Sequence, residues 1–325
     1  MDRDMTDKKY NEILSNAATE SVIKCKKIRE LLTPDSEKRD LILPKFDMIE
    51  EYSKFIQSSE FIVPSVRIFE ALEILFDFPH KLLQNEKLIK LNISMLRKIL
   101  LGEKYYKSDK ISLHHLPMLL FIPNLKSSAF HTHPKIDQAK KILEKNFKII
   151  QKESLNLETG FRDYTQGEYT NIHDGKWQSL KFYDERGNEI SQNCKQCPET
   201  KKTLDMIENK AFGYIDHFHF FSALEPGTEI YPHFGSHNHK LRIHMGISGC
   251  EGTELAVGKE TYHWKVGESV CFDDSFNHSV KHRGNKRRIV LITDIYHPEL
   301  ELEEIKFLEK LNSLEIKPSL DSGEL

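Results

Sequence analysis

Along the first hundred residues the apolar positions recur every three to four residues, the spacing of one helix face. Residues 10–14 and 23–32 carry it over a polar background, and Pro34 ends that run. Phe46, Ile49, Tyr52 and Phe55 repeat it clearly. Ser65 stands where a cap belongs, before a helix predicted over 66–78 with Val66, Phe69, Leu72 and Phe76 on one side. A further amphipathic helix is predicted over 88–101 and is closed by Gly102. Charges of alternating sign cover the other faces and read as solvated surface. No self-similar period is present, which excludes a repeat array. After an apolar connector with Pro117 and Pro123, one long helix is predicted over 135–153, through Ile136, Ala139, Ile142, Leu143, Phe147 and Ile150. His131 and His133 at its start read as cap or loop residues.

From Gly160 the period shortens to two and turn residues multiply. Residues 177–183 read as a strand followed by a Gly187-Asn188 turn, and 203–210 as a short helix. Strands follow at 214–224, 241–248, 254–257, 269–272, 279–282 and 288–295. Pro226-Gly227, Gly267 and Gly284-Asn285 separate several of them. The fold class is therefore α+β: a helical N-terminal region, then a sandwich or jelly-roll barrel. In 241–247 strand alternation sends Leu241, Ile243, Met245 and Ile247 one way and Arg242 with His244 the other. Arg288 opens another strand and can share that second face, whereas Arg287 has the opposite parity and is expected to face solvent.

Composition narrows the classes. The 325 residues are 38% hydrophobic and 30% charged, enough for a sizeable core with a polar surface. A net charge of −3 gives no general pull toward nucleic acid, so none is expected as a partner. The longest apolar runs, such as 118–122, fall far short of the roughly 20 residues of a membrane span. No apolar signal region follows the charged N-terminus, and the expected location is cytoplasmic. Five cysteines, an odd number, read as reduced thiols. Cys194 and Cys197 form a C-x-x-C with no second pair to complete a zinc knuckle, and read as two thiols in a turn before Pro198, with a redox pair or a partial metal site as the alternative.

Histidine is where the chemistry gathers. Ten of the sixteen fall between His217 and His297, about a quarter of the chain, so they are concentrated rather than scattered. The stretch 231–244 holds four histidines and an arginine within fourteen residues. Two separated histidines can hold one metal ion through neutral imidazoles, and an arginine can hold a carboxylate in two parallel bonds. A two-histidine-one-carboxylate triad needs an acid two residues after the first histidine, but His233 is followed by Gly235. On spacing alone His237, His239 and His244 compete with His233 as the first ligand, with His278 as the second. Histidines satisfied by backbone in a polar barrel mouth are the structural alternative. No H-E-x-x-H, G-x-S-x-G or phosphate-binding loop is present.

Residues 221–247, 264–268, 272–280 and 288–300 together resemble the aspartyl/asparaginyl β-hydroxylases, which are iron(II)- and 2-oxoglutarate-dependent oxygenases. Weaker similarity runs back through Gly175-Lys176-Trp177 and residues 119–153, so the resemblance covers about 119–300. It implies a double-stranded β-helix, cupin-like, with Fe(II) in its mouth and 2-oxoglutarate and O2 as cosubstrates. The family keeps two histidines and a glycine where related enzymes keep an acid. By motif position His233 and His278 resemble the iron ligands. Arg288 resembles the arginine that holds the distal carboxylate of 2-oxoglutarate, and Ser222 and His244 resemble further 2-oxoglutarate contacts. Arg242 and Asp274 match positions that line the substrate pocket. With Arg288 committed to the cosubstrate, Arg242 is expected to be free to hold an acidic or amide substrate group; a permanent ion pair with Asp273 or Asp274 is the alternative. His237, His239, His282 and His297 are then not ligands.

The resemblance divides the chain into a helical region over 1–118, the β-helix domain over 119–310 and a tail over 311–325. It implies hydroxylation of an aspartyl, asparaginyl or similar amino-acid unit, in a peptide, carrier-bound or free. The expected partner is that substrate, with no membrane. A halogenase using the open coordination position and a non-catalytic binding module are the rival readings.

Overall fold

The computed structural model describes residues 3–31, 39–58, 61–84, 115, 119–157, 160–164, 173–184, 187–212 and 218–315. The helix expected over 88–101 lies outside these residues. The chain divides into two compact units, residues 1–125 with 300–325, and residues 126–299. The boundaries expected from the sequence are 118/119 and 310/311.

In the first unit α1 (Arg3–Leu31) packs on α2 (Arg39–Ile56) and α3 (Val66–Leu83). The helical spacing buries Leu14, Ala18, Cys25 and Ile28 of α1 against Phe46, Ile49 and Tyr52 of α2 and Leu72, Leu75 and Phe76 of α3. Ser65 caps α3, its Oγ accepting from the amide of Ile68 at 3.2 Å. That helix runs past residue 78, with Pro79 inside it. A last helix of this unit, which becomes α8 (Leu302–Glu315) in chain order, packs on α2 and sets Phe307 6.0 Å from Phe55 and Phe61.

The second unit is built on two antiparallel sheets. Its strands are β1 (Arg162–Asp163), β2 (His173–Asp174), β3 (Trp177–Lys181), β4 (His219–Leu224), β5 (Glu229–His233) and β6 (Lys240–Ser248). They continue as β7 (Thr253–Val257), β8 (Glu260–His263), β9 (Ser269–Phe272), β10 (His278–His282) and β11 (Arg288–Tyr296). One sheet has the order β1-β3-β4-β11-β6-β9 and the other β2-β5-β10-β7-β8. From β4 to β11 the chain passes repeatedly from one sheet to the other, which is the winding of a double-stranded β-helix. Helices α4 (Pro134–Lys145), α5 (Phe147–Leu155), α6 (Ser191–Gln196) and α7 (Pro198–Asp205) accompany the larger sheet.

Strand alternation sorts the two faces of that sheet. Leu241, Ile243, Met245 and Ile247 of β6 pack with Ile289, Leu291 and Ile295 of β11 against Ile136, Ala139 and Leu143 of α4. A second apolar layer lies between the sheets, with Phe220, Val290, Ile292 and Phe272 from one and Ile230, Leu255, Val257 and Val280 from the other.

Three local expectations change. The helix expected over 135–153 is two helices, because Asn146 leaves the helical conformation and returns its side-chain amide to the carbonyl of Ile142 at 2.8 Å. The helix expected over 203–210 starts earlier, at Pro198, whose fixed φ suits a first helical position. Strands β1, β2, β5 and β8 were not expected: β1 and β2 are two residues long, β5 contains Pro232, and β8 is an edge strand with exposed polar positions.

The layer between α4 and the sheet gives a stability test. Leu143→Ala removes a fully buried side chain and is expected to lower unfolding stability by about 2–5 kcal/mol in chemical denaturation. Lys141→Ala, on the exposed side of α4, is expected to stay within about 0.5 kcal/mol of the parent.

Candidate active site

The inner face of the small sheet carries a pair of histidines. His233 ends β5, His278 opens β10, and the two stand directly opposite each other in the antiparallel register. A bulge makes this pairing possible. Val280 faces Ile230 and His278 faces His233, so three steps on β5 match two on β10. Without the extra residue His233 would lie on the face opposite to Ile230; with it, both look inward. Pro232, within the bulged stretch, has no amide hydrogen to leave unpaired.

The imidazole rings lie 4.1 Å apart, centroid to centroid. His233 Nδ1 donates to the carbonyl of Tyr231 at 2.7 Å, and His278 Nδ1 donates to that of Phe276 at 2.9 Å. Each carbonyl thereby fixes the hydrogen on Nδ1 and leaves the Nε2 lone pair for a metal, the arrangement that orients histidine ligands. Among the described residues no third histidine, cysteine or acid joins the pair. At Gly235 a Cβ would lie 2.9 Å from Cγ and Oδ1 of Asp274, and the Gly235 amide donates to the Asp274 carbonyl at 2.7 Å. A carboxylate side chain at 235 has no room.

The large sheet supplies the opposite wall. Ser222 of β4, Arg242 and His244 of β6 and Arg288 of β11 line one cavity together with His233, His278 and Asp274. Tyr164, Phe220, Ile230, Leu255 and Val280 make its apolar sides. Arg288 is 1% exposed and has no acidic partner among the described residues. Its Nη1 donates to Ser222 Oγ at 3.3 Å, its Nε has no hydrogen-bond partner, and its Cζ lies 4.5 Å from the Trp264 ring centre. Ser222 Oγ also accepts from the Trp177 indole at 3.0 Å. Burial lowers the Arg288 pKa to about 10, so the group stays cationic. His244 is buried with neither ring nitrogen hydrogen-bonded, and burial, then Arg288 and Arg242, push its pKa well below the usual imidazole range. A neutral imidazole and a buried guanidinium fork thus line the same cavity, both able to donate to an anion.

Arg242 does not have the free charge expected of it. Its Nε and Nη2 donate to Oδ1 and Oδ2 of Asp294, both at 2.8 Å, and its Nη1 lies 3.0 Å from Oδ2 of Asp274. Lys240 Nζ lies 2.7 Å from Asp274 and 3.4 Å from Asp294. Burial pushes the Asp294 carboxyl up, but Arg242 and Lys240 outweigh it and hold the group below the usual carboxylate range. Asp294 sits directly across from Arg242 on β11, a partner 52 residues away that local spacing could not reveal. Asp274 and Arg242 line the cavity as an ion pair.

The other chemistry-bearing residues fall outside the cavity lining. His237 and His239 are buried with rings 4.6 Å apart, and His297 packs edge-on to His131. His282 joins Thr253 Oγ1 to the carbonyl of Lys286. His133 caps α4, accepting from the amide of Lys135 at 3.2 Å. Cys194 lies in α6 and Cys197 between α6 and α7, both buried in the outer core, with burial raising their thiol pKa values. Arg287 is half-exposed and pairs with Glu225 at 3.3 Å, as its strand parity predicts.

Residues 144–298 match the family model described as Aspartyl/Asparaginyl beta-hydroxylase. Aspartate beta-hydroxylase domain-containing protein 2 of Mus musculus is 31% identical over 203 residues, which are 59% of this chain and 58% of that protein. Aspartyl/asparaginyl beta-hydroxylase of Homo sapiens is 32% identical over 165 residues, 49% of this chain and 21% of that protein. The chain thus spans little more than half of the first relative and about a fifth of the second. Among solved structures, a prolyl hydroxylase from Trichoplax adhaerens, in complex with a hypoxia inducible factor peptide fragment, aligns with a TM-score of 0.35 and 11% identity. That alignment covers 57% of this chain and 98% of the other.

Two measurements test the electrostatics. Asp294→Ala leaves Arg242 and Lys240 short of a buried acid and is expected to lower stability by about 3–5 kcal/mol, read by denaturant unfolding. His219, buried on β4, is held between Thr293 Oγ1 and the carbonyl of Ala211, and burial lowers its pKa to about 4. An unfolded histidine titrates near ~6.5, so between that pH and about 4 the unfolded chain binds the extra proton. This group therefore favours folding least in acid: stability falls as pH drops through the window, by about 1.4 kcal/mol per pH unit. His219→Gln is expected to flatten that slope.

Proposed function

We propose that this chain is an iron(II)- and 2-oxoglutarate-dependent dioxygenase that hydroxylates an aspartyl, asparaginyl or similar amino-acid unit, in a peptide, carrier-bound or free. The observation that carries the reading is a buried guanidinium with no acid of its own among the described residues, Arg288, lining the same cavity as two opposed histidines whose Nδ1 atoms donate to backbone carbonyls. An uncompensated buried cation is costly, and a carboxylate ligand removes that cost.

His233 and His278 would hold the iron through Nε2. Arg288, with Ser222 and neutral His244, would hold the distal carboxylate of 2-oxoglutarate. Bound there, iron and 2-oxoglutarate would supply the oxidative chemistry, with O2 consumed and succinate and carbon dioxide released. The apolar sides at Phe220, Leu255, Val280 and Ile292 keep water from the reacting region. Arg242 and Asp274 meet the substrate as a neutralised pair that offers hydrogen bonds without net charge. A halide bound beside Gly235 would face the carboxyl of Asp274, which favours hydroxylation over halogenation. The five cysteines are buried free thiols. No helix among the described residues is long and apolar enough to cross a membrane.

The experiment is succinate release with iron(II) and 2-oxoglutarate against a panel of free amino acids, peptides and carrier-bound amino acids. Turnover that depends on both, with added oxygen in one panel member and no need for chloride, supports the reading. Neither binding nor consumption of 2-oxoglutarate by the iron-loaded protein would sink it. His278→Ala is expected to abolish turnover while the apo protein melts within a few degrees of the parent. Arg288→Ala is expected to weaken 2-oxoglutarate binding by about 2–5 kcal/mol, and Arg288→Lys to restore only part, since an ammonium lacks the planar fork.

A further inference from the structure

The chain has two tryptophans, and both touch the guanidinium end of the cavity. Trp177 acts through its indole N–H, donated to Ser222. Trp264 is placed differently. It is 4% exposed, and its Nε1 has no hydrogen-bond partner. The Arg288 Cζ stands 4.5 Å from its ring centre, and the His244 ring lies nearly parallel to it, at 13° and 5.7 Å. One ring thus contacts both groups able to receive an anion.

A buried guanidinium without an acid has lost hydration that something must replace, and one hydroxyl at 3.3 Å replaces little. Among aromatic faces, indole attracts a cation best. Packing against a ring also leaves the N–H edge of the planar guanidinium available for a carboxylate. We propose that Trp264 is the positioning residue of this end of the cavity, holding Arg288 and His244 in the orientation that receives the distal carboxylate of 2-oxoglutarate. The inference rests on the 2-oxoglutarate reading above. The indole N–H makes no bond, so the ring face does the holding. Phenylalanine keeps that face, whereas leucine does not.

The test is calorimetric titration of 2-oxoglutarate into the full chain loaded with zinc(II), so that no turnover is needed. Trp264→Leu is expected to bind about 10- to 30-fold more weakly than the parent, the range an aromatic–cation contact of this kind supports. Trp264→Phe is expected within about threefold of the parent. Zinc affinity should hold in both variants, because the two groups that Trp264 holds, Arg288 and His244, lie on the sheet opposite His233 and His278. In turnover, the KM for 2-oxoglutarate should rise in Trp264→Leu by more than kcat falls. Trp264→Leu binding as tightly as the parent, or Trp264→Phe binding as weakly as Trp264→Leu, overturns the proposal while the functional reading stands. A zinc-loaded parent that binds no 2-oxoglutarate overturns both. Should Trp264→Leu fail to fold, emission decides in a Trp177→Phe chain, where Trp264 is the sole tryptophan. A change at saturating 2-oxoglutarate supports the contact, and unmoved emission overturns it.

Discussion

The pairing of β6 with β11 is the constraint on which both halves of this domain depend. The two nine-residue strands lie side by side, with Ile243 opposite Thr293 and Arg242 opposite Asp294. Alternate positions of β6 divide cleanly. Leu241, Ile243, Met245 and Ile247 enter the outer core beneath α4, while Arg242 and His244 face the cavity. A slip by one residue would bring four apolar side chains into the cavity and drive an arginine and a histidine into the core. The Arg242–Asp294 ion pair spans this register and is satisfied only in it. Packing and chemistry are therefore two faces of one alignment.

The charges between the sheets fall into two groups with different physical standing. Lys240 and Arg242 face Asp274 and Asp294, two cations against two anions, each within ion-pair distance of an opposite charge. Such a cluster is costly to break and contributes little pull on a ligand. Arg288 belongs to the second group. It has an aromatic face and a hydroxyl but no acid among the described residues, so its field is not cancelled. His244 stays neutral because burial and the nearby arginines oppose a further proton. Perturbed, uncompensated groups of this kind mark functional positions more often than structural ones.

Much of this was legible in the chain. The three-to-four spacing located α1, α2 and α3 of the first unit, the Ser65 cap included, but not α8, and the alternation of 241–247 placed Arg242 and His244 on one face. What stayed hidden was the product of long-range pairing. Nothing local says that His233 lies opposite His278, because their approach depends on a bulge at a proline-containing strand. Nothing local supplies Asp294 to Arg242, so only Asp273 and Asp274 could be weighed as its partners. Trp264 and Trp177 carry no spacing signal at all, and their meaning comes only from what the fold sets against them. The break at Asn146 was hidden for a different reason: apolar periodicity continues across it while a side-chain amide competes for the helix's own carbonyl.

The contact between Gly235 and Asp274 shows why the metal-ligand set stops at two histidines. Gly235 follows His233 by two residues, and Asp274 precedes His278 by four; the Gly235 amide bonds to the Asp274 carbonyl. One hydrogen bond therefore ties together the two chain segments that carry the ligands. The close approach requires the absence of a side chain at 235, since a Cβ would meet the Asp274 carboxyl at 2.9 Å. That same carboxyl neutralises Lys240 and Arg242 on the opposite sheet. An acid at 235 would have to displace Asp274 and so strip a counter-ion from two buried cations. The two-histidine set is thus a consequence of how the sheets balance their charge, since the volume a third ligand would need is already used to hold the cavity together.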